Sequence, residues 1–189
     1  KWLTENEKEY PIITDLGIRF IEREINYIRD LGVLNRIDYL KLERRGMGRD
    51  QRLTSEQREK NFDLLEKYQM YLSDNDLWDF PELPLMLKKK LDTLSTPPIL
   101  FDAILVDEAQ DWAPVWFSII NRLLDPNHGL LFLADDPSQS IYRNFSWREK
   151  EVEVVGRTRW LRVPYRNTYE IYKAAYALIS VNEEIQNSL

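Results

Sequence analysis

Acidic side chains stand directly after an apolar run in residues 101–112, FDAILVDEAQDW. Asp107 and Glu108 are adjacent, and a third carboxylate follows at Asp111. An aspartate in this position can hold Mg²⁺ through water, and a neighbouring glutamate can orient and deprotonate an attacking water. A pair of carboxylates after a strand can also be merely solvated. The pair therefore predicts either phosphoryl-transfer chemistry or a solvated strand end.

A second apolar run, in GLLFLADDPSQSIYR, also ends on acids, Asp135 and Asp136. Gln139 follows just beyond the predicted sheet edge, where its amide can hydrogen-bond a terminal phosphate. Tyr142 and Arg143 come next, and a Tyr–Arg pair can meet a nucleic-acid base and backbone. Taken alone, Pro-Ser-Gln-Ser is also an ordinary turn.

The predicted elements around these residues have the order expected of an α/β fold. ILFDAILV and GLLFLA are short, continuous apolar runs, which indicate strands covered on both faces in a parallel sheet. APVWFSIINRLL predicts a helix between them, with Asp111 as its N-cap and Pro114 in its first turn. TRWLRVPYR, residues 158–166, is a third strand candidate. Ligands of such sheets bind beyond the carboxyl ends of the strands.

The residues before position 76 predict helices instead. DLGIRFIEREINYIRDLG ends in Gly32, a helix stop, and carries a stripe at three- and four-residue spacing: Ile18, Ile21, Ile25 and Ile28. TSEQ predicts a capping box between Thr54 and Gln57. The helix that follows has an apolar side formed by Phe62, Leu65, Tyr68 and Leu72.

Composition excludes several classes of protein. The 189 residues contain no cysteine, which excludes disulfides and thiolate zinc sites and favours a reducing cytoplasmic location. No apolar run reaches the roughly 18–20 residues that span a bilayer. The net charge of −6 argues against coating nucleic acid through bulk charge, although residues 41–60 and 143–166 are locally basic. Those stretches are either phosphate-facing surfaces or solvated faces.

The sequences VDEAQD, LADDPSQSIYR and LRVPYRNT, in this order, resemble motifs II, III and IV of the UvrD/Rep branch of superfamily 1 DNA helicases. LWDFPELPLML resembles the segment that those enzymes carry before motif II. The resemblance implies an α/β fold: a RecA-like P-loop NTPase core, with a partial parallel sheet and flanking helices, plus an N-terminal all-helical insertion. It implies three parts, namely a helical insertion (1–75), the second half of the first RecA-like domain (76–158) and the start of the second (159–189).

The resemblance also implies roles for single residues in ATP hydrolysis. Asp107 would be the Mg²⁺ carboxylate and Glu108 the catalytic base. Gln139 would contact the γ-phosphate, and Arg166 would add positive charge at the transferring phosphoryl group. ATP and Mg²⁺ are the implied cofactors. The implied activity is 3′-to-5′ movement on single-stranded DNA with unwinding of duplex junctions.

Further residues match positions that meet DNA in this family. These are Tyr142, Arg143, Asp79 and Phe80. The chain departs from the family where Asp135 replaces a glycine before motif III, and where Asn-Phe-Ser-Trp follows SIYR. Phe145 or Trp147 is therefore expected to stack on a base, which is worth about 1–3 kcal/mol per base.

No phosphate-binding loop is present in these residues, because none of the six glycines precedes a lysine. We therefore expect residues 1–189 to be an internal segment of a longer helicase and to be inactive alone. Two alternatives stay open. One is a non-catalytic helicase-fold module that binds DNA or protein. The other is a Mg²⁺-dependent nuclease using the carboxylates of Asp107, Glu108, Asp111 and Asp135.

Overall fold

The computed structural model describes residues 2–43, 52–136, 145–161 and 165–179. A helical body comes first in the chain: α1 (Trp2–Glu5), α2 (Pro11–Leu16), α3 (Ile18–Asp30), α4 (Arg36–Lys41), α5 (Ser55–Asp74) and α6 (Glu82–Asp92). The α/β part follows: β1 (Ala103–Val106), a 3₁₀ turn (Ala109–Asp111), α7 (Pro114–Leu123), β2 (Leu130–Leu133) and, later in the chain, α8 (Tyr169–Ile179).

The helical body forms around the predicted stripe of α3. Ile21, Ile25 and Ile28 are buried, and they join a core cluster with Phe62 and Leu65 of α5. The predicted capping box is confirmed, because the Thr54 hydroxyl accepts from the Gln57 N–H while the Gln57 side chain accepts from the Thr54 N–H. Burial of an apolar face stabilises α3 and α5, and the capping box fixes the N-terminus of α5.

The turn after α3 connects the helical body with the α/β part. Gly32 has φ +69°, the left-handed conformation that glycine adopts without strain. A Cβ placed on Gly32 would lie 3.2 Å from Cγ2 of Val115 in α7. The predicted helix stop is therefore confirmed, and the glycine also lets this backbone approach α7 closely.

The sheet of the described residues has two parallel strands, with Ala103 opposite Leu130 and Val106 opposite Leu133. One face packs on α7, where Val106 joins a buried cluster with Phe117 and Ile120.

The other face of the sheet is bare. Leu105 is 75% exposed and Phe132 is 57% exposed. We expected both faces to be covered, but in the described residues only α7 lies over the sheet, and a parallel sheet is buried on both faces only where helices cover both.

Two further expectations differ from the structure. Residues 158–161 and 165–166, the described part of the third predicted strand, are not strand, and Leu161 is 95% exposed. A strand needs a hydrogen-bonded neighbour, and none of the described segments pairs with this one. The N-cap of α7 is Ala113 rather than Asp111, which lies in the 3₁₀ turn, whereas Pro114 does begin the helix as predicted.

Candidate functional site

The carboxylate pair lies at the carboxyl end of β1, and both side chains are exposed. The Ala134 N–H donates to the Val106 carbonyl and the Ala109 N–H donates to the Ala134 carbonyl, each at 2.8 Å, so parallel pairing continues past the strands. Between these bonds Glu108 has φ +50° and ψ +46°, a left-handed conformation that is unusual for a non-glycine residue. Its N–H donates to Oδ1 of Asp107 at 3.0 Å. Backbone pairing thus fixes the turn that presents both acids.

Gln110 connects the ends of the two strands. Its side chain is almost completely buried, with 5% exposed surface. Nε2 donates to Oε2 of Glu108 at 2.7 Å, and Oε1 accepts from the Asp136 N–H at 3.0 Å. The glutamine side chain therefore orients the Glu108 carboxylate and links it to the main chain just after β2. The residue patterns had not singled out Gln110.

The acids at the two strand ends influence one another electrostatically. Asp135 keeps exposed surface, yet desolvation of its carboxyl group raises its pKa, and the charges of Asp136 and Glu108 raise it further. The ammonium of Lys150 acts in the opposite direction. Asp135 and Glu108 therefore lie close enough for their charges to repel.

The donor set of the turn fits a Mg²⁺ ion held by a single carboxylate. In the described residues, the Asp107 carboxylate accepts a hydrogen bond from the Glu108 N–H through Oδ1. Its Oδ2 is left to accept from a water molecule of a hydrated ion. Three acidic or histidine side chains do not converge on a metal site anywhere in the described ranges. The structure thus gives no support, over those ranges, to the carboxylate-cluster nuclease.

Lys150 is a buried lysine that the residue patterns missed, because it lies in the basic stretch 143–166 and could equally have been solvated. It is 2% exposed. Its Nζ donates to the carbonyls of Ala109 at 2.7 Å and Gln110 at 3.3 Å. Burial lowers its pKa, while the carboxylates of Asp135, Asp111 and Glu149 oppose that shift. Its sequence neighbours, Glu149 and Glu151, are charged, so no local signal indicated its burial.

Asp79 and Phe80, both expected at DNA, have different surroundings. The Asp79 carboxylate accepts two hydrogen bonds from Nη1 of buried Arg29, at 2.9 and 2.8 Å, and one from the Tyr68 hydroxyl at 2.9 Å. Its Oδ1 also accepts from the Glu82 N–H at the start of α6. Phe80 is 74% exposed. The geometry favours a structural role for Asp79 and leaves the Phe80 ring accessible.

Phe145 and Trp147 are engaged within the chain. Phe145 stacks on Tyr27 of α3, with ring centroids 6.0 Å apart and planes 7° apart. Trp147 packs edge-on against Phe117 at 6.1 Å, in the cluster beneath the sheet. The expectation that one of them stacks on a base is not favoured, because both rings already have aromatic partners.

Gln139, Tyr142 and Arg143 lie outside the described residues. Arg166 is exposed in the bend that precedes α8. The roles assigned to these four residues stay predictions. No helix in the described ranges has the length and apolar character needed to cross a membrane.

Two curated relatives are similar to this chain. A protein of Mycoplasma pneumoniae described as "Probable DNA helicase" is 30% identical over 131 residues, which is 66% of this chain and 24% of the relative. A "Probable DNA helicase II homolog" of Mycoplasma capricolum is 34% identical over 103 residues, 51% of this chain and 14% of the relative. The chain thus spans a quarter or less of either relative. No solved structure matches it significantly.

Residues 28–158 match the family described as "UvrD/REP helicase N-terminal domain". This range begins inside α3 and includes the carboxylate turn, Gln110 and Lys150. Since it covers well over half of the 189 residues, the chain belongs to the UvrD/REP helicase N-terminal domain family.

Proposed function

We propose that this chain is part of an ATP-dependent DNA helicase or translocase that moves 3′ to 5′ on single-stranded DNA and unwinds duplex junctions. The observation that carries the proposal is the exposed Asp107–Glu108 pair at the carboxyl end of β1, tied through Gln110 to the end of β2. Ligands of parallel α/β sheets bind at that edge. Family membership and the names of both relatives support the proposal.

The same reasoning extends to the architecture. We infer a RecA-like core carrying an N-terminal helical insertion, with boundaries near residues 75 and 158. The small parallel sheet with α7 on one face is compatible with half of such a core. The part of the helical body up to residue 75, α1 to α5, which has its own hydrophobic cluster, would be the insertion.

When bound, Mg²⁺-ATP supplies the phosphoryl group that water attacks. The Asp107 carboxylate would hold the hydrated cation through Oδ2. The Glu108 carboxylate would accept the proton of the attacking water, and Gln110 Nε2 keeps that carboxylate oriented. Gln139 would contact the terminal phosphate, and the Arg166 guanidinium would offset negative charge as the phosphoryl group transfers.

Single-stranded DNA would meet a different set of side chains. The exposed Phe80 ring offers a stacking platform, and the Asp79 network fixes the loop that presents it. Tyr142 and Arg143 would meet a base and the phosphate backbone. In this proposal Asp79 itself does not contact DNA, because its carboxylate is neutralised by Arg29.

The test is ATP hydrolysis by the full-length protein carrying Glu108→Gln. The amide keeps the size of the side chain but cannot accept a proton, so turnover should fall by about 100-fold or more, the usual contribution of a general base. Binding of a fluorescent ATP analogue, measured by titration, should change little, because the phosphates and Mg²⁺ do not depend on that proton.

Asp102→Asn is the matched control, because Asp102 is an exposed carboxylate at the opposite end of β1 and should leave turnover unchanged. Near-normal turnover of Glu108→Gln would overturn the base assignment. A full-length protein that binds DNA without hydrolysing ATP would favour the binding module. Mg²⁺-dependent DNA cleavage without ATP would favour the nuclease.

A further inference from the structure

Lys150 has no part in the chemistry proposed above, yet it is one of the most deeply buried charged residues described. Lysines are rarely fully buried, since removing an ammonium group from water is unfavourable unless hydrogen bonds replace the lost hydration. Lys150 is 2% exposed and belongs to the segment after β2 rather than to the sheet. Such a group is expected to hold particular acceptors in place.

The acceptors of Lys150 are the first two carbonyls after Glu108. Nζ lies 2.7 Å from the Ala109 oxygen and 3.3 Å from the Gln110 oxygen, which are main-chain groups of the 3₁₀ turn. The rings of Trp147 and Phe117 flank the ammonium, with centroids 4.8 and 5.3 Å from Nζ. Aromatic faces attract a cation and exclude water, so they strengthen both hydrogen bonds.

A continuous set of contacts leads from this ammonium to the Glu108 carboxylate. Lys150 fixes the Gln110 main chain, and the Gln110 side chain donates to Glu108 Oε2 at 2.7 Å while accepting from the Asp136 N–H. The turn also contains the left-handed Glu108, whose backbone relaxes unless its surroundings hold it. The lysine supplies such a restraint from outside the sheet.

We propose that Lys150 is a positioning residue for Glu108, acting through the Ala109 and Gln110 carbonyls and the Gln110 side chain. This inference rests on the proposed function, in which Glu108 is the base. Lys150 does not touch substrate. It holds the turn so that the carboxylate keeps one orientation, and a displacement of about 1 Å at a catalytic group can lower turnover by about 100-fold.

The first experiment compares Lys150→Met with the parent in the full-length protein. Methionine fills a similar volume but cannot donate, so we expect turnover of ATP to fall by about tenfold or more with KM for ATP nearly unchanged. Lys150→Arg keeps a cationic donor and should recover part of the loss. Lys67→Met, at an exposed lysine of α5, is the matched control and should behave as the parent.

A second measurement does not depend on activity. Hydrogen exchange without nucleotide should become faster in Lys150→Met at the Ala109 and Asp136 amides, whose N–H groups donate to the Ala134 carbonyl and to the Gln110 side chain. Exchange in α5 should stay as in the parent. An increase spread equally over the helical body would show a general loss of stability and would overturn the positioning role.

A double substitution separates positioning through Gln110 from other effects. If Lys150 acts partly through the Gln110 side chain, adding Lys150→Met to Gln110→Ala should lower turnover by a smaller factor than Lys150→Met does in the parent. Independent, multiplying effects would overturn the proposed route. If Glu108→Gln abolishes hydrolysis while Lys150→Met leaves it unchanged, this inference fails and the proposed function stands. If Glu108→Gln is active, the proposed function fails first.

Lys150→Gln is the second neutral variant, for use where methionine does not fold. It should show the same fall in turnover, because its shorter amide does not reach both carbonyls, and parental turnover would overturn the proposal. Failure of both neutral variants to fold would show that the lysine serves the whole fold and would likewise overturn it.

Discussion

At the scale of single residues, exposure distinguishes two aromatic side chains that the sequence had placed together at DNA. Phe80 is 74% exposed, whereas Trp147 packs on Phe117 and flanks the Lys150 ammonium. An exposed ring contributes little to the fold and is free to stack on a base. A ring with an aromatic partner beneath the sheet contributes to the core instead.

Alanine substitutions of Trp147 and Phe80 should have opposite effects on stability and on DNA affinity. Trp147→Ala should lower the free energy of unfolding by about 3 kcal/mol, because it leaves a cavity beneath the sheet. Phe80→Ala should change it by less than about 0.5 kcal/mol. Affinity of the full-length protein for single-stranded DNA should fall with Phe80→Ala, by about 1–3 kcal/mol. Denaturant titration and fluorescence anisotropy measure the two quantities, and the reverse pattern would return Trp147 to the DNA site.

The sequence could single out Asp107 and Glu108 as candidates because an apolar strand followed by acids is a local pattern. It could not single out Gln110 or Lys150, whose contacts at this turn span 26 and 41 residues of chain. Asp79 illustrates the same limit. Its carboxylate is neutralised by Arg29, 50 residues earlier, so its position in a motif did not reveal its partners.

At the scale of elements, the Asp79 network joins α3, α5 and the start of α6. The Tyr68 hydroxyl donates to Asp79, and burial, together with that bond, raises the pKa of Tyr68 from 10.0 to about 12. The fold therefore favours the neutral hydroxyl. Its contribution to stability is complete below pH 10 and is lost as the pH rises through 12.

Tyr68→Phe should accordingly lower the free energy of unfolding by about 2 kcal/mol at pH 8, since it removes a hydrogen bond to a charged group. The difference from the parent should stay constant up to pH 10 and then shrink towards pH 12. Denaturant titrations over this range measure it. Tyr71→Phe on the same helix is the control. A difference that does not depend on pH would exclude the hydroxyl as its source.

Helices were predicted better than strands because their signals are local. The α3 stripe and the Thr54 capping box depend on residues three or four positions apart, so both can be recognised in the sequence itself. Strands depend on distant neighbours. A strand candidate such as residues 158–166 cannot indicate whether a partner strand lies beside it. Likewise, the sequence of β1 could not reveal that no helix of the described residues covers one of its faces.

At the scale of the whole molecule, the sheet face opposite α7 is an exposed apolar surface of the described residues. Leu105 and Phe132 are side by side in the register of β1 and β2 and are both largely exposed. Contiguous apolar surface of this kind binds hydrophobic dyes and promotes association.

Residues 1–189 expressed alone should therefore bind a fluorescent hydrophobic dye, and the double substitution Leu105→Thr with Phe132→Thr should reduce the signal. Threonine is β-branched, a shape that strands favour, so the sheet should persist. Leu83→Thr, at an exposed leucine of α6, is the control and should reduce the signal much less. Equal dye binding in all variants would show that this face is covered in solution.

The left-handed backbone of Glu108 means that the residue best suited to the backbone at position 108 lacks the proposed catalytic carboxylate. A non-glycine residue held at φ +50° is less favourable than glycine by about 1 kcal/mol. Glycine at position 108 would relax the backbone and remove the carboxylate in the same step. Under the proposed function, directed evolution for thermal tolerance alone would accept that exchange, whereas selection for ATP turnover would reject it.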